Sequence, residues 1–225
     1  MRLSLLLALA LVGCRQEAPA SSSGTARPEL ALLTSLPILF GEQFTLDQPR
    51  SPLLAALEKD YRVTAVDGPE QVAPGATLLA IQPQALTAER LVALDSWVRD
   101  GGRLVLLADP ALRWESSRPL GDRFRPPYSF PDTGLLRHWG LTLRLLEAGE
   151  EGATTLRLGK GRELTGQAGI GALAATGREC TATQALARCT IGLGRVIVVG
   201  DADFAMSDDL DDLAALVSLV GEVAR

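Results

Sequence analysis

Residues 87–110, TAERLVALDSWVRDGGRLVLLADP, decide the fold. The first half of this stretch places apolar side chains on one stripe of a helix, at Leu91, Leu94, Trp97 and Val98. Thr87 suits the start of this helix as its cap, and Gly101-Gly102 suits its end because glycine adopts the left-handed conformation without steric cost. The apolar run at 103–108 then predicts a buried strand that stops at Asp109-Pro110.

The residues before this unit repeat the same alternation. Short apolar runs at 30–34, 61–66 and 77–81 predict strands, and Ser51-Pro52 is a typical helix start. Continuous apolar strands suit a parallel sheet that is covered on both faces. The order strand, helix, strand, strand, helix, strand therefore predicts an α/β protein with a mainly parallel sheet.

The later part of the chain is less regular. Residues 111–132 contain four prolines and predict a long irregular loop, which could act as a lid over the sheet edge. A short helix and a strand are expected within 134–146. Short strands and glycine turns predict a β-rich insert around 150–190. A strand at 196–199 and a final helix capped by Ser207 complete the predicted domain.

The N-terminus resembles the export signal of bacterial lipoproteins. Arg2 precedes an apolar run at 3–11, which is too short to span a bilayer but typical of a signal peptide. The run leads into the tetrapeptide Leu-Val-Gly-Cys that ends at Cys14. The resemblance implies a signal peptide at 1–13, cleavage before Cys14 and a lipid on its thiol. The alternative is an ordinary secretory signal with an incidental cysteine.

Composition limits the partners of the mature protein. Residues 14–28 are rich in Ala, Ser and Pro and predict a flexible tether, which leaves a single α/β domain at 29–225. The chain carries a net charge of −5, and its basic residues are not clustered in the sequence. Nucleic acids and anionic lipid surfaces both require clustered basic side chains, so neither is expected to bind by charge. We expect a periplasm-facing protein of the cell envelope, held to a membrane by its lipid.

Two further cysteines, Cys180 and Cys189, lie close together in a region of short strands. In an oxidising periplasm such a pair is a disulfide candidate, which would contribute about 2–3 kcal/mol through loop closure. The alternative is a pair of buried thiols. A zinc site is not expected, because the one histidine of the chain, His138, is far from both cysteines in sequence.

Three motifs resemble the gliding-motility G-like family, auxiliary components associated with ABC transporters, and related families of domains of unknown function. The motifs are residues 87–110, LLRHWGLTL at 135–143 and GRVIVVGDADF at 194–204. The resemblance implies a flavodoxin-like fold akin to the class I glutamine-amidotransferase-like domains. It also implies that subunits of an ABC transporter, or another envelope protein, are the candidate partners.

Three aspartates form the candidate ligand site. Asp109, Asp201 and Asp203 follow predicted parallel strands, and ligands of open α/β sheets bind at the carboxyl ends of the strands. Carboxylates grouped at one edge are suited to Mg²⁺ or Ca²⁺. The alternative is that each aspartate caps the next turn through backbone N–H groups. Capping is the favoured interpretation, so no metal is assigned.

Catalytic motifs are weak. An amidotransferase-like fold would carry a cysteine at a strand-to-helix elbow, but Gln82-Pro83-Gln84 follows the strand at 77–81. His138 fits a packing or surface role. The G-x-G-x-x-A match at 169–174 follows no convincing apolar strand, which favours turn glycines, and 159–162 reads as a hairpin turn.

The sequence thus predicts a lipid-anchored, non-catalytic domain that binds a ligand or a protein partner, as an accessory of an ABC-type transport system. No cofactor is expected. The rival hypothesis is a hydrolase or transferase that uses the strand-end carboxylates Asp109, Asp201 and Asp203. A third possibility is a purely structural envelope protein.

Overall fold

A computed structural model of the protein describes residues 27–42, 50–146, 155–159, 162–165 and 169–225. Its strands are β1 (Glu29–Thr34), β2 (Arg62–Ala65), β3 (Thr77–Ile81), β4 (Arg103–Leu107), β5 (Leu141–Leu145), β6 (Thr155–Gly159), β7 (Arg162–Thr165), β8 (Gly171–Ala175), β9 (Cys180–Thr183), β10 (Leu186–Ile191) and β11 (Gly194–Val199). Its helices are α1 (Pro52–Asp60), α2 (Ala88–Arg99), α3 (Leu135–His138) and α4 (Leu210–Val223). The predicted signal peptide, Cys14 and most of the predicted tether lie outside the described residues.

The main sheet has seven strands in the order β2-β1-β3-β4-β11-β10-β9. The first five of these run parallel, β10 runs antiparallel to them, and β9 is antiparallel to β10 and so runs in the direction of the first five. Two antiparallel pairs, β5 with β8 and β6 with β7, lie outside this sheet. The prediction of a mixed α/β fold with a mainly parallel sheet is therefore confirmed. Within the segment predicted to be β-rich, β9 and β10 extend the main sheet.

Both faces of the main sheet are covered, which explains its continuous apolar strands. Alternate residues of β1 belong to different cores, with Leu32 on one face and Leu33 on the other. Helices α1 and α4 cover the first face, where Leu57 and Leu216 are fully buried. Helices α2 and α3 cover the second face, where Trp139 is fully buried. Full burial of each such side chain stabilises the fold by roughly 1.5–3 kcal/mol.

The helix boundaries follow local capping chemistry. The side-chain oxygen of Thr87 accepts a hydrogen bond from the Arg90 N–H at the start of α2 (3.4 Å). Gly101 adopts φ +106° just beyond the end of α2, as the sequence predicted. The predicted cap of the last helix was wrong. Asp209, and not Ser207, caps α4, because a short 3-10 turn at Asp203–Met206 delays the helix.

The predicted disulfide is present. Cys180 on β9 lies directly opposite Cys189 on β10, with 4.0 Å between their Cα atoms, and their sulfurs are bonded. Both residues are buried in the second core. The bond therefore joins the last two strands at one edge of the main sheet.

Across the residues that the structure describes, no helix combines the length and the apolar character needed to span a bilayer.

Candidate functional site

The three candidate aspartates lie together at the carboxyl edge of the main sheet. Asp109 follows β4 and Asp201 follows β11, and these two strands are parallel neighbours. One carboxylate oxygen from each of Asp109, Asp201 and Asp203 lies within 4.8 Å of the others. The predicted placement of Asp109 and Asp201 on one edge is therefore correct.

Backbone N–H groups occupy these carboxylates. The two oxygens of Asp109 accept hydrogen bonds from the N–H groups of Ala111 (2.8 Å) and Ala202 (3.0 Å). An oxygen of Asp201 accepts from the N–H of Asp203 (2.8 Å). Each of these bonds fixes the turn that follows a strand, and the Ala202 bond joins two such turns. This is the capping arrangement that the sequence favoured.

Asp203 ties the same edge to the proline-rich loop at 111–132. Its carboxylate accepts hydrogen bonds from the N–H groups of Arg113 (2.9 Å) and Trp114 (2.7 Å). These residues lie about ninety positions away in sequence, so the contact anchors the first residues of the loop against the sheet.

Burial makes Asp109 an unusual acid. Removal from water raises the pKa of its carboxyl to about 6, and the nearby negative charge of Asp203 adds to this effect. The hydrogen bonds from Ala111 and Ala202 act in the opposite direction, because they favour the ionised form. The raised pKa shows that desolvation outweighs those two bonds.

Gln82 holds this edge together and was not recognised as important from the sequence. It is fully buried at the end of β3 and adopts φ +41°, which is unusual for a residue other than glycine. Its side-chain amide bonds to the backbone N–H and carbonyl of Asp109 (2.9 and 3.1 Å). It also donates to the carbonyl of Pro127 (3.0 Å). The elbow position after β3 is thus used to bind the proline-rich loop.

A cavity of about 600 Å³ opens at the carboxyl ends of β1 and β3. The chain passes from β1 to β2 on one side of β1 and then crosses to β3 on its other side. The strand order therefore reverses between β1 and β3, and ligands of open α/β sheets bind at such a switch point. We call this space the switch-point cavity. Its volume is typical of small-molecule sites.

The walls of the switch-point cavity come from several segments, including residues 65–67 at the end of β2. The chain after β1 contributes residues 34–42, the chain after β3 contributes residues 83–86, and α2 adds Arg90. The proline-rich loop contributes Arg118, Arg123 and Phe124. Most of the lining surface is apolar, as is usual for ligand pockets.

The predicted lid and the three predicted aspartates do not line the same cavity. The proline-rich loop does line a cavity, but none of Asp109, Asp201 and Asp203 is among the lining residues. The aspartates instead fix the start of the loop. The switch-point cavity is therefore a site that the aspartate hypothesis did not locate.

The remaining motifs have structural positions. The ring of His138 lies at the surface, with its Nε2 3.4 Å from a carboxylate oxygen of Asp95. Gly169 adopts φ +105° in a turn, and the G-x-G-x-x-A match continues into β8 rather than into a helix. β6 and β7 pair as an antiparallel hairpin, and the two residues between them lie outside the described residues.

The fold and this cavity define an α/β domain with a small-molecule-sized cleft at the switch point of its sheet. The chain belongs to the family described as a domain of unknown function, DUF4350, whose sequence profile matches residues 53–218. No curated protein shows significant similarity to the chain.

The solved structures with a similar fold include mmIFT52 and a β-galactosidase. The N-terminal domain of mmIFT52 is 15% identical, with a TM-score of 0.56 over 87% of this chain and 97% of that chain. A polyextremophilic β-galactosidase from the Antarctic haloarchaeon Halorubrum lacusprofundi is 17% identical, with a TM-score of 0.51 over 88% of this chain. The present chain covers only 30% of that galactosidase. At these identities the likeness concerns the fold alone.

Proposed function

We propose that the protein is a non-catalytic, lipid-anchored domain of the cell envelope that binds a small ligand in the switch-point cavity. The observation that carries this proposal is the cavity itself. It combines a volume of about 600 Å³ with mostly apolar walls and a position at the carboxyl ends of β1 and β3. Physical reasoning about open α/β sheets locates ligands at this position.

The finer fold class is part of the proposal. The strand order β2-β1-β3-β4-β11 corresponds to the flavodoxin-like order 2-1-3-4-5, with β11 in the fifth place. This supports a flavodoxin-like domain akin to the class I glutamine-amidotransferase-like domains. The same strand order is also compatible with the resemblance to the gliding-motility G-like family. On the basis of that resemblance, we propose that the protein binds its ligand as an accessory of an ABC-type transport system.

The chemistry of the elbow supports a binding role rather than a catalytic one. A nucleophile at the end of β3 would need a free side chain directed toward a bound substrate. Gln82 occupies this place and its amide is committed to the backbone of Asp109 and Pro127. The strained backbone of Gln82, with its positive φ, therefore serves to position the proline-rich loop.

Blocking the cavity tests the binding role. Ala85 is exposed and lines the switch-point cavity, so Ala85→Trp fills the space without removing a core side chain. Ala88→Trp, an exposed position that does not line the cavity, is the matched control. A library of small molecules is screened by thermal shift on both variants and the parent protein. We expect compounds that stabilise the parent and Ala88→Trp but not Ala85→Trp. If Ala85→Trp responds to every compound that the parent binds, the cavity is not the binding site.

A hydrolase or transferase is the second candidate, and one observation favours it. A carboxyl with a pKa of about 6, such as that of Asp109, is suited to general acid catalysis near neutral pH. Chromogenic ester, phosphate and glycoside substrates test this candidate. Turnover that is lost in both Asp109→Asn and Asp201→Asn would support it and would contradict our proposal of a non-catalytic domain.

The lipid anchor is tested separately. Cys14 is proposed to be the first residue of the mature protein, and Cys14→Ser should release the domain to the soluble fraction or leave it as a precursor. Intact-mass analysis of the membrane fraction should show the mass of the acylated chain from residue 14. A mature protein without lipid that begins at another residue would contradict the proposal.

The transport context has its own test. Covalent cross-linking in intact cells, followed by purification of the lipidated protein, should recover an ATPase and its permease. Recovery of neither subunit, with efficient cross-linking of other envelope proteins, would contradict an accessory role in transport.

A further inference from the structure

We infer that the switch-point cavity binds an anionic amphiphile, a small molecule with an apolar body and one carboxylate, sulfonate or phosphate group, and that Arg123 binds the anionic group. The inference rests on the proposed function, because it names the class of ligand for the same cavity. Three observations carry it: the exposed aromatic side chains at the cavity, the guanidinium of Arg123, and the distribution of charge around the rim.

Two exposed phenylalanines offer apolar surface to the body of the ligand. Phe40 and Phe124 both line the cavity, and they remain 66% and 50% exposed. Aromatic side chains of this size normally contribute to the core, so their exposure at a cavity marks surface that a ligand can cover. Leu39 and Leu86 also line the cavity and add to its apolar surface. A ligand with a ring system or a short alkyl body would remove this surface from water.

Arg123 is available to an anion. Its guanidinium lies over the ring of Phe124, 4.3 Å from the ring centroid. Among the residues that the structure describes, no carboxylate or carbonyl accepts a hydrogen bond from its side chain. A guanidinium presents five N–H donors in a planar fork that matches the oxygens of carboxylates, sulfonates and phosphates. The ring contact restrains this fork at the rim of the cavity.

The two other arginines at the cavity have protein partners. Arg90 donates to the carboxylate of Glu70 (2.8 Å) and to the carbonyl of Asp67 (2.9 Å). Arg118 donates to the carbonyl of Glu42 (2.6 Å) and lies 5.5 Å from the centroid of the Phe124 ring. The donors of both arginines therefore hold the walls in place, and each guanidinium lies beside a carboxylate, Glu70 for Arg90 and Asp122 for Arg118. This leaves Arg123 as the arginine of the rim best placed to contact a ligand.

The acidic side chain of Glu42, which lines the cavity, is already bound by the loop. The Glu42 carboxylate accepts hydrogen bonds from the hydroxyl groups of Ser116 and Ser117 and from the Ser117 N–H. Burial raises the pKa of Glu42, but these hydrogen bonds outweigh burial and hold the pKa below its usual value. Glu42 is thus an ionised residue whose two oxygens already bind the proline-rich loop.

Charge is unevenly distributed over the chain. Residues 113–125 carry four arginines and two acidic residues, although the whole chain has a net charge of −5. Two of these arginines, Arg118 and Arg123, line the cavity, and with Arg90 they outnumber the two acidic lining residues, Glu42 and Asp67. Such local potential attracts anions in preference to neutral or cationic molecules of the same shape.

A matched pair of fluorescent probes tests the inference. The probe 1-anilinonaphthalene-8-sulfonate is an anionic amphiphile, and N-phenyl-1-naphthylamine has the same ring skeleton without the sulfonate. Both are titrated into the chain from residue 14 onward with Cys14→Ser, which needs no detergent. We expect the anionic probe to bind about tenfold more tightly or better, and this preference should decrease as salt is added.

Variants separate the roles of charge and shape. Arg123→Glu should lower the affinity for the sulfonate probe about tenfold or more and leave the affinity for the neutral probe unchanged. Arg137→Glu, an exposed arginine on α3 that does not line the cavity, is the matched control and should change neither affinity. Ala85→Trp should abolish the binding of both probes. Unchanged melting temperatures of the two arginine variants confirm that each remains folded.

The outcomes distinguish this inference from the proposed function. The inference is overturned if both probes bind with equal affinity, Ala85→Trp abolishes this binding and Arg123→Glu leaves both affinities unchanged. The cavity would then be a binding site without anion selectivity. If the probes bind Ala85→Trp as tightly as the parent protein, the proposed function is contradicted as well. Failure of both probes to bind also overturns the inference.

Discussion

The side-chain amide of Gln82 forms a pair of hydrogen bonds with the backbone of Asp109, as a neighbouring strand would. Its Oε1 accepts from the Asp109 N–H (2.9 Å) and its Nε2 donates to the Asp109 carbonyl (3.1 Å). The pair extends the contact between β3 and β4 past their ends, from the first residue after β3 to the second residue after β4. It thereby fixes the backbone from which the Asp109 carboxylate reaches the turn after β11.

Replacement of Gln82 by leucine should destabilise the protein by about 2–4 kcal/mol. Leucine has a similar volume, but it leaves the buried N–H of Asp109 without an acceptor and removes the donor to Pro127, and each orphaned group costs about 1–3 kcal/mol. Urea unfolding measures the change. Gln84→Leu is the control, because Gln84 is exposed and makes a single bond to the Arg125 carbonyl. Equal destabilisation by both variants would show that Gln82 has no special role.

The turn after β11 depends on a close approach of two backbones. A Cβ at Gly200 would lie 2.4 Å from the carbonyl oxygen of Gly171, and the Gly171 N–H donates to the Gly200 carbonyl. Gly200→Ala should therefore cost about 1–3 kcal/mol through overpacking. A Cβ at Gly177 would meet nothing closer than 3.6 Å, so Gly177→Ala should change stability by less than about 0.5 kcal/mol. Thermal unfolding of both variants checks this contrast, and a tolerated Gly200→Ala would contradict it.

Local chemistry explains which elements could be predicted from the sequence. The strand predicted at 77–81 has the bounds of β3, because a continuous apolar run between turns has few other stable conformations in a folded protein. The helix after Thr87 was equally clear, because its cap, its apolar stripe and its two glycines agree. Contacts within a few residues determine both elements.

The switch-point cavity could not be predicted in the same way, because contacts between distant residues form it. Glu42 bonds to Ser116 and Ser117, more than seventy positions further along the chain. Gln82 bonds to Pro127 across 45 positions. Neither pair forms a pattern in the sequence, because glutamate, serine and glutamine are common loop residues. The edge placement of Asp109 and Asp201, in contrast, needed only the order of the parallel strands.

Loss of the Cys180–Cys189 disulfide should lower the free energy of unfolding by about 2–3 kcal/mol. The reason is that the closed loop lowers the conformational entropy of the unfolded chain, and this restriction is lost with the bond. Urea unfolding with and without a reductant measures this change. The double variant Cys180→Ala/Cys189→Ala should unfold near the midpoint of the reduced protein and should not respond to the reductant. Identical midpoints for the oxidised and reduced parent protein would contradict the prediction.

The raised pKa of Asp109 should give the protein a specific dependence of stability on pH. Its carboxyl titrates near pH 6 in the folded protein and near pH 4 in an unfolded chain, so between these values the folded state binds more protons. The stability that Asp109 contributes is therefore greatest at low pH and decreases as the pH rises from about 4 to about 6. Relative to Asp109→Asn, which cannot ionise, the parent protein should lose on the order of 3 kcal/mol of unfolding free energy across this window.

Guanidinium unfolding of both proteins at a series of pH values measures the difference. Asp208→Asn, which removes an exposed carboxylate, controls for the change in net charge. Parallel pH profiles for the parent and Asp109→Asn would mean that burial does not keep the Asp109 carboxyl protonated near pH 6.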